Sequence, residues 1–265
     1  MNKLNKIRLP LDITMTVLSI ILMGGNFLFL ADLVHEILGV ALFVLWGVHI
    51  FLNRRWYASL AQASKLITST NANDRRSYDA IFRGKYNPYR VMQTFNNCGI
   101  LICTIFLMIS GIILSKHLFT FLNIQGELGF ARIAHLLASH WYYLFMSLHI
   151  GLHVGMITNK MRHPAPINCH PELVSGSSTN EMPKQVRHDK LRKIIPRILL
   201  VLTSLYGLYA FIARGVWKYL ILSQQFFFFD LERGYILFAM DYISIIILFA
   251  TISHFIAKLL KKRFN

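Results

Sequence analysis

Six long apolar runs constrain this chain more than any other feature, because each is close to the length that crosses a lipid bilayer. A helical span through the hydrocarbon core needs about 20 predominantly apolar residues. The runs therefore predict an all-α membrane protein, a transmembrane bundle of about six helices. Their predicted bounds are 11–30, 33–53, 93–115, 132–157, 196–213 and 235–257. The first run has no clear small-residue cleavage site before Ala31, so we predict an uncleaved helix.

The basic residues divide unevenly between the two sides of a six-helix arrangement. The N-terminus has three Lys or Arg and the C-terminus has four, while segments 54–90 and 160–197 have eight each. One side therefore carries 23 of the 28, and the positive-inside rule places both termini in the cytoplasm. The net charge of +16 is thus a topology signal that predicts contact with anionic lipid headgroups, and we expect no nucleic-acid partner.

The order of the runs predicts three parts. Residues 1–158 would form a four-helix membrane core, 159–194 a polar cytoplasmic loop and 195–265 two C-terminal transmembrane helices. Within the loop, the sequence CHPELVSGSSTNEMPKQVRHDK (169–190) resembles the translated palindromic repeats that interrupt some bacterial reading frames. Three histidines in the loop are typical of solvated polar sequence and are poor ligand candidates: His163, His170 and His188.

Four histidines form two pairs of equal spacing on predicted helices two and four. His35 and His49 are 14 residues apart, and so are His135 and His149. Fourteen residues make nearly four helical turns and rise about 21 Å, so the members of a pair share a face at two depths. Because these helices would run parallel, His35 should meet His135 near the outer surface, and His49 should meet His149 near the inner one. Two facing imidazoles at each level are what two bis-histidine haems need.

The inner ligand on helix four has two candidates. His153 lies one turn beyond His149 and five full turns beyond His135, so either residue could face His49. We call His35 and His135 the outer pair, and His49, His149 and His153 the inner cluster. His140 points away from His135, towards a quinone pocket or another helix. Isolated membrane histidines are more typical of hydrogen-bonded packing residues, and three belong to this class: His117, His140 and His254.

The predicted cofactor is haem b, two per chain, held within residues 1–158. Neutral imidazole supplies axial nitrogens to iron without burying charge. Arg132, one turn before His135, could pair with the propionates of the outer haem, and Arg54 and Arg55 with those of the inner one. Snorkelling of a basic side chain at a helix end explains these arginines equally well. Five glycines would let a porphyrin edge or a neighbouring backbone come close: Gly39, Gly47, Gly111, Gly151 and Gly155.

Other metal chemistry has weaker support. The three cysteines, Cys98, Cys103 and Cys169, form neither a CxxC nor a CxxCH motif, which argues against a zinc ribbon and covalent haem attachment. There is no HExxH motif, and Glu36 would point about 100° away from its neighbour His35 on a helix. A zinc site built on this histidine and carboxylate is therefore disfavoured.

Four segments carry motifs of a known family: LVHEILGVALFVLWGVHIFLNRRW (33–56), ARIAHLLASHWYYLFMSLHIGLHVG (131–155), YGLYAFIARG (206–215) and FFFFDLERGYILFAMDYISI (226–245). They resemble the flavinylation-associated cytochromes, which are b-type cytochromes of the bacterial cytoplasmic (inner) membrane. The resemblance implies a haem-bearing bundle that passes electrons to extracytoplasmic flavoproteins carrying covalently bound FMN. It also assigns the outer pair and the inner cluster as the haem-site residues.

Further functional interpretations stay open at this point. Quinol is a candidate electron donor, and Asp241 could relay its proton or bond to a neighbouring helix. Phe226–Phe229 with Asp230 could form a docking face, although an interfacial aromatic belt is the commoner role for such a run. The chain would be an electron-transfer component rather than a stand-alone enzyme. The alternative function is a non-redox membrane transporter or structural subunit with a histidine-lined path.

Overall fold

The computed structural model describes residues 3–24, 32–58, 87–123, 128–162, 185–226 and 234–264, and over these residues it is helical with no strand. The helices are α1 (Lys3–Met23), α2 (Asp32–Leu52), α3 (Pro88–Leu114), α4 (Leu128–Arg162), α5 (Gln185–Ala213), α6 (Val216–Leu220) and α7 (Gly234–Phe264). A short helical segment at 54–58 follows α2, and a 3₁₀ turn at Thr120–Leu122 follows α3.

The all-helical class is confirmed for the described residues, and each of the six predicted spans overlaps a long helix over all or part of its length. Among the described residues, four helical segments are long and apolar enough to cross a membrane: Asp32–Leu52, Pro88–Leu114, Ile194–Ala213 and Ile236–Lys262. Helices α1 and α4 are not among these four. Basic residues at the start of α1 and four histidines along α4 reduce their apolar character. The described helices are consistent with a multi-pass membrane protein.

Several helix ends differ from their predicted positions. Helix α1 (Lys3–Met23) begins before the predicted start at residue 11, and residues 25–30 of the predicted span lie outside the described part of the chain. Helix α3 begins at Pro88 because the Asn87 side chain accepts a 3.1 Å hydrogen bond from the backbone N–H of Tyr89, and proline suits the first helical position. Helices α4 and α5 both extend into the stretch predicted as a polar loop. Its central part, 163–184, lies outside the described residues.

Helix α4 lies at the centre of the bundle. It packs along α3 on one side and α7 on another, while α5 packs against α7 and α6 against α4. The densest apolar cluster consists of Tyr143, Met146, Ala210, Val216, Phe238, Tyr242, Ile245 and Ile246. The main core therefore joins α4 to the three C-terminal helices and crosses the predicted boundary between the first four helices and the last two.

Small residues allow α7 to approach its two long neighbours closely. A Cβ atom added to Gly151 of α4 would collide with the backbone of Ala250, and one added to Gly207 of α5 would collide with the backbone of Ser244. The Ser253 hydroxyl also donates a 2.8 Å hydrogen bond to a backbone carbonyl of α4, at Leu148. Of the two roles predicted for Gly151, the structure gives it backbone contact, as is common between membrane helices.

Helix α2 lies apart from the centre of the bundle. None of its residues is buried, and it packs against α1 and less extensively against α3, with few backbone contacts to α4. At one end, Arg8 of α1 donates a 2.7 Å hydrogen bond to the Leu52 carbonyl. At the other end, the Glu36 carboxylate accepts hydrogen bonds from the Ser115 hydroxyl and from the backbone N–H groups of residues 116–118. These contacts hold α2 in a fixed register while leaving its face towards α4 sparsely packed.

Candidate functional site

The outer pair comes together between α2 and α4. The ring centroids of His35 and His135 are 6.3 Å apart, with 60° between the ring planes. Both side chains are half-buried. The predicted meeting of His35 with His135 is therefore present in the structure.

Helix α3 fixes the orientation of His135. Its Nδ1 lies 2.9 Å from the Ser110 hydroxyl, which in turn lies 2.6 Å from the Phe106 carbonyl. A carbonyl only accepts, so the hydroxyl donates to Phe106 and accepts the hydrogen bond from Nδ1–H of His135. This leaves the Nε2 nitrogen of a neutral imidazole as the nitrogen able to bind a metal.

Little side-chain volume lies beside the outer pair. Among the described residues, no atom lies within 4 Å of a Cβ built on Gly39, which is one turn beyond His35 on α2. A Cβ on Gly111 of α3 would lie 3.8 Å from Cε1 of His135. Together with the sparse packing between α2 and α4, these glycines leave room for a flat group against the imidazoles.

His149 of the inner cluster is held in the same manner as His135. Its Nδ1 lies 3.0 Å from the Oδ1 of Asn97 on α3. Because an amide oxygen only accepts, His149 donates from Nδ1 and keeps Nε2 for a metal. Asn97 and Ser110 are 13 residues apart on α3, so one helix orients both ligand candidates of α4.

His49 is oriented from a different helix. Its Nδ1 lies 2.8 Å from a carboxylate oxygen of Asp12 on α1, and its Nε2 lies 3.3 Å from the side-chain nitrogen of Asn53. A carboxylate accepts, so Nδ1–H of His49 is the donor and Nε2 carries the lone pair. His49, His135 and His149 thus all have the tautomer that a metal-binding Nε2 requires, and at His49 a metal would replace the hydrogen bond from Asn53.

The structure keeps both inner candidates on α4 near His49. The His149 and His153 rings are 4.5 Å apart, and both imidazoles lie within electrostatic range of His49. His149 has the additional orienting bond from Asn97, which favours it as the ligand. His153 lies beside it, within electrostatic range of Asp12 and Lys261.

Three residues that orient these histidines were not predicted from the sequence: Asp12, Asn97 and Ser110. Each is a polar side chain inside a helix that is otherwise largely apolar. The spacing of 13 residues between Asn97 and Ser110, close to the histidine spacing, is the signal that could have indicated two of them. The role of Asp12 depends on how α1 packs against α2, which the sequence pattern does not contain.

The three arginines predicted to pair with haem propionates lie near helix ends. Among the described residues, no contact joins any of them to the histidines of the outer pair or the inner cluster. Arg132 and Arg55 are exposed. The Arg54 guanidinium lies 4.4 Å from the centre of the Phe51 ring and donates to the Phe51 carbonyl. That arrangement matches the snorkelling alternative for Arg54.

His140 and His254 have packing roles, whereas His117 is an exposed side chain. His140 is buried, its Nδ1 is 2.8 Å from the Leu136 carbonyl, and its ring stacks on Tyr219 at 4.3 Å. It therefore faces another helix, α6, which was one of its two predicted alternatives. His117 is exposed, and His254 lies next to Gly155 at the contact between α7 and α4.

Asp241 is bonded to a neighbouring helix rather than standing alone. Its carboxylate accepts from Arg214 Nε at 2.8 Å and from the Tyr206 hydroxyl, and both ionic partners are almost fully buried. Of the predicted aromatic run, Phe226 is 71% exposed, while the following residues through Asp230 lie outside the described part of the chain.

Within the described residues, no three His, Cys, Asp or Glu side chains converge as a set that would hold a metal ion by protein ligands alone. A haem iron differs because the porphyrin supplies four nitrogens and the protein only the axial ones. Comparison with protein-family models, curated proteins and solved structures finds no match to this chain.

Proposed function

We propose that this protein is a di-haem b-type cytochrome that transfers electrons across the cytoplasmic membrane. The observation that carries the proposal is the outer pair, where His35 and His135 face each other from α2 and α4 at 6.3 Å between ring centroids. A second histidine group, the inner cluster, lies nearly four turns away on the same two helices.

The spacing of the outer pair fits two axial ligands of one iron. An imidazole nitrogen lies about 2 Å from a bound metal and about 1.1 Å from the centre of its own ring. Two imidazoles on opposite sides of one metal therefore have ring centres a little over 6 Å apart, which agrees with the observed 6.3 Å. The same distance with 60° between the ring planes also fits a direct edge-to-face contact of the two imidazoles, so haem content is the measurement that distinguishes the two.

The residues that would hold the haems follow from this fit. His35 and His135 would bind the outer haem, and His49 with His149 the inner one, with His153 as the alternative to His149. The bound haems would supply reversible one-electron chemistry. The protein would supply the axial nitrogens, their fixed tautomers and a membrane interior of low dielectric constant.

The electron partners in this proposal come from the family resemblance. The expected acceptor is an extracytoplasmic flavoprotein with covalently bound FMN, and the expected donor is quinol or a cytoplasmic reductant. Reconstitution in vesicles tests the acceptor: a reductant enclosed inside should reduce an FMN protein added outside, and vesicles without the protein should not support the reaction.

A visible spectrum of the detergent-purified protein is the first test. A dithionite-reduced minus oxidised difference spectrum should show a sharp b-type α-band, and pyridine haemochrome quantitation should give about two haems per chain. A colourless protein from haem-replete cells would refute the proposal. Histidine-dependent transport by such a preparation would instead favour the transporter alternative.

Paired histidine variants test the assignment of each level. H35A and H135A should each remove the outer haem, and H49A and H149A the inner one, because one axial ligand alone binds more weakly. H117A is the matched control, since this exposed imidazole should have no effect on haem content. Loss of the inner haem in H153A but not in H149A would reassign the inner ligand.

A further inference from the structure

The two histidine levels differ in the charge of the group that orients their ligands. At the outer level, the partner of His135 is the neutral hydroxyl of Ser110, at 2.9 Å. At the inner level, the partner of His49 is the carboxylate of Asp12, at 2.8 Å. Both interactions use Nδ1, so they act on the nitrogen opposite the candidate metal-binding Nε2.

The carboxylate should make His49 a stronger electron donor than a neutral partner would. An anion that accepts from Nδ1–H draws the proton towards itself and increases the basicity of Nε2. A more basic axial nitrogen stabilises oxidised iron relative to reduced iron and lowers the reduction potential. The Ser110 hydroxyl is a weaker acceptor than a carboxylate because it carries no charge.

Three other charged groups near the two histidine levels have different bonding partners. At the inner level, Arg8 bonds to the Leu52 carbonyl, and the Lys261 ammonium lies 4.0 Å from the centre of the Tyr89 ring. At the outer level, the Asp32 carboxylate lies 2.6 Å from the Lys116 ammonium, which offsets its charge. Asp12 differs from these groups because its carboxylate bonds directly to a candidate ligand nitrogen.

We propose that Asp12 is a positioning residue of the inner haem site: it fixes the tautomer of His49 and lowers the midpoint potential of the haem that His49 binds. This inference rests on the proposed cytochrome function. A lower potential on the cytoplasmic side would favour electron flow from the inner haem to the outer one, in the direction of an extracytoplasmic acceptor.

The test is a spectroelectrochemical titration of the purified holoprotein and its D12N variant. Asparagine retains the size and a hydrogen-bonding group but removes the charge. The midpoint potential of the haem that is absent in H49A should rise in D12N, while the other midpoint stays the same. Because the Asp12 side chain is 51% exposed, solvent screens part of its charge. We expect a change of up to about tenfold in the reduction equilibrium, which is up to about 59 mV for one electron.

Two further variants make the result decisive. D32N removes a carboxylate three residues from His35 that is paired with Lys116, and it should shift the midpoints much less than D12N. If D12N loses the inner haem, D12E, which retains the carboxylate, should restore both the haem and its low potential. Failure of D12E to do so would overturn the assignment.

The possible outcomes separate the inference from the function on which it rests. Wild-type protein without haem would refute the cytochrome proposal itself. The other negative outcome is that wild type and D12N both contain two haems and that D12N shifts the midpoints from their wild-type values no more than D32N does. That result would leave the cytochrome proposal intact and overturn the role of Asp12.

Discussion

Replacing Ser110 by alanine should weaken binding of the outer haem and leave the inner haem in place. Ser110 is only 3% exposed, and its hydroxyl is the 2.9 Å acceptor for Nδ1–H of His135. The substitution removes this acceptor without adding volume. His135 would then lose the contact that holds its ring and tautomer for binding through Nε2.

The size of the effect follows from the orienting role of this hydrogen bond. Loss of a hydrogen bond to a metal-binding histidine typically reduces metal affinity about 10–100-fold. The Leu107 carbonyl also lies within hydrogen-bonding range of His135 and can replace part of the lost bond. We therefore expect a reduction near the lower end, about tenfold.

Haem transfer to excess apomyoglobin measures this effect directly. The outer haem is defined as the one absent from H135A, and its rate of loss is compared between wild type and S110A. T104A is the matched control, because the buried Thr104 hydroxyl bonds to the Ile100 carbonyl of the same helix. Equal retention of the outer haem in S110A and T104A, or equal loss of both haems from S110A, would contradict the reasoning.

Two predictions concern stability and do not depend on haem. G151A should destabilise the bundle by about 1–3 kcal/mol, because the added methyl would lie 2.7 Å from the Ala250 carbonyl carbon and the backbone cannot yield cheaply. G129A, also on α4 and with no described atom within 4 Å, is its control, and equal melting temperatures for the two would count against the packing. D241A should cost about 3–5 kcal/mol in chemical unfolding, because it removes the carboxylate from the buried Arg214 guanidinium. Wild-type stability in D241A would show that this ion pair contributes little.

The predicted and observed helices agree best where the sequence pattern is strongest. The second, third, fifth and sixth apolar runs coincide with the four segments that are long and apolar enough to span a membrane. Helix ends were less predictable because capping decides them, as Asn87 and Pro88 do for α3. The main core was also not predicted: it lies between α4 and the C-terminal helices. There Gly151 lets α4 approach the backbone of α7, and Gly207 lets α5 do the same.

The sequence by itself determined the helical class, the positions of the membrane-length helices and the matched spacing of the histidines. These properties are local: hydropathy and helical periodicity are read along one segment at a time. The tertiary structure alone decided that His35 lies 6.3 Å from His135, and that Ser110, Asn97 and Asp12 orient the ligand candidates. Those contacts join residues on different helices, so they depend on the rotation and register of each helix against its neighbours, which no single segment specifies.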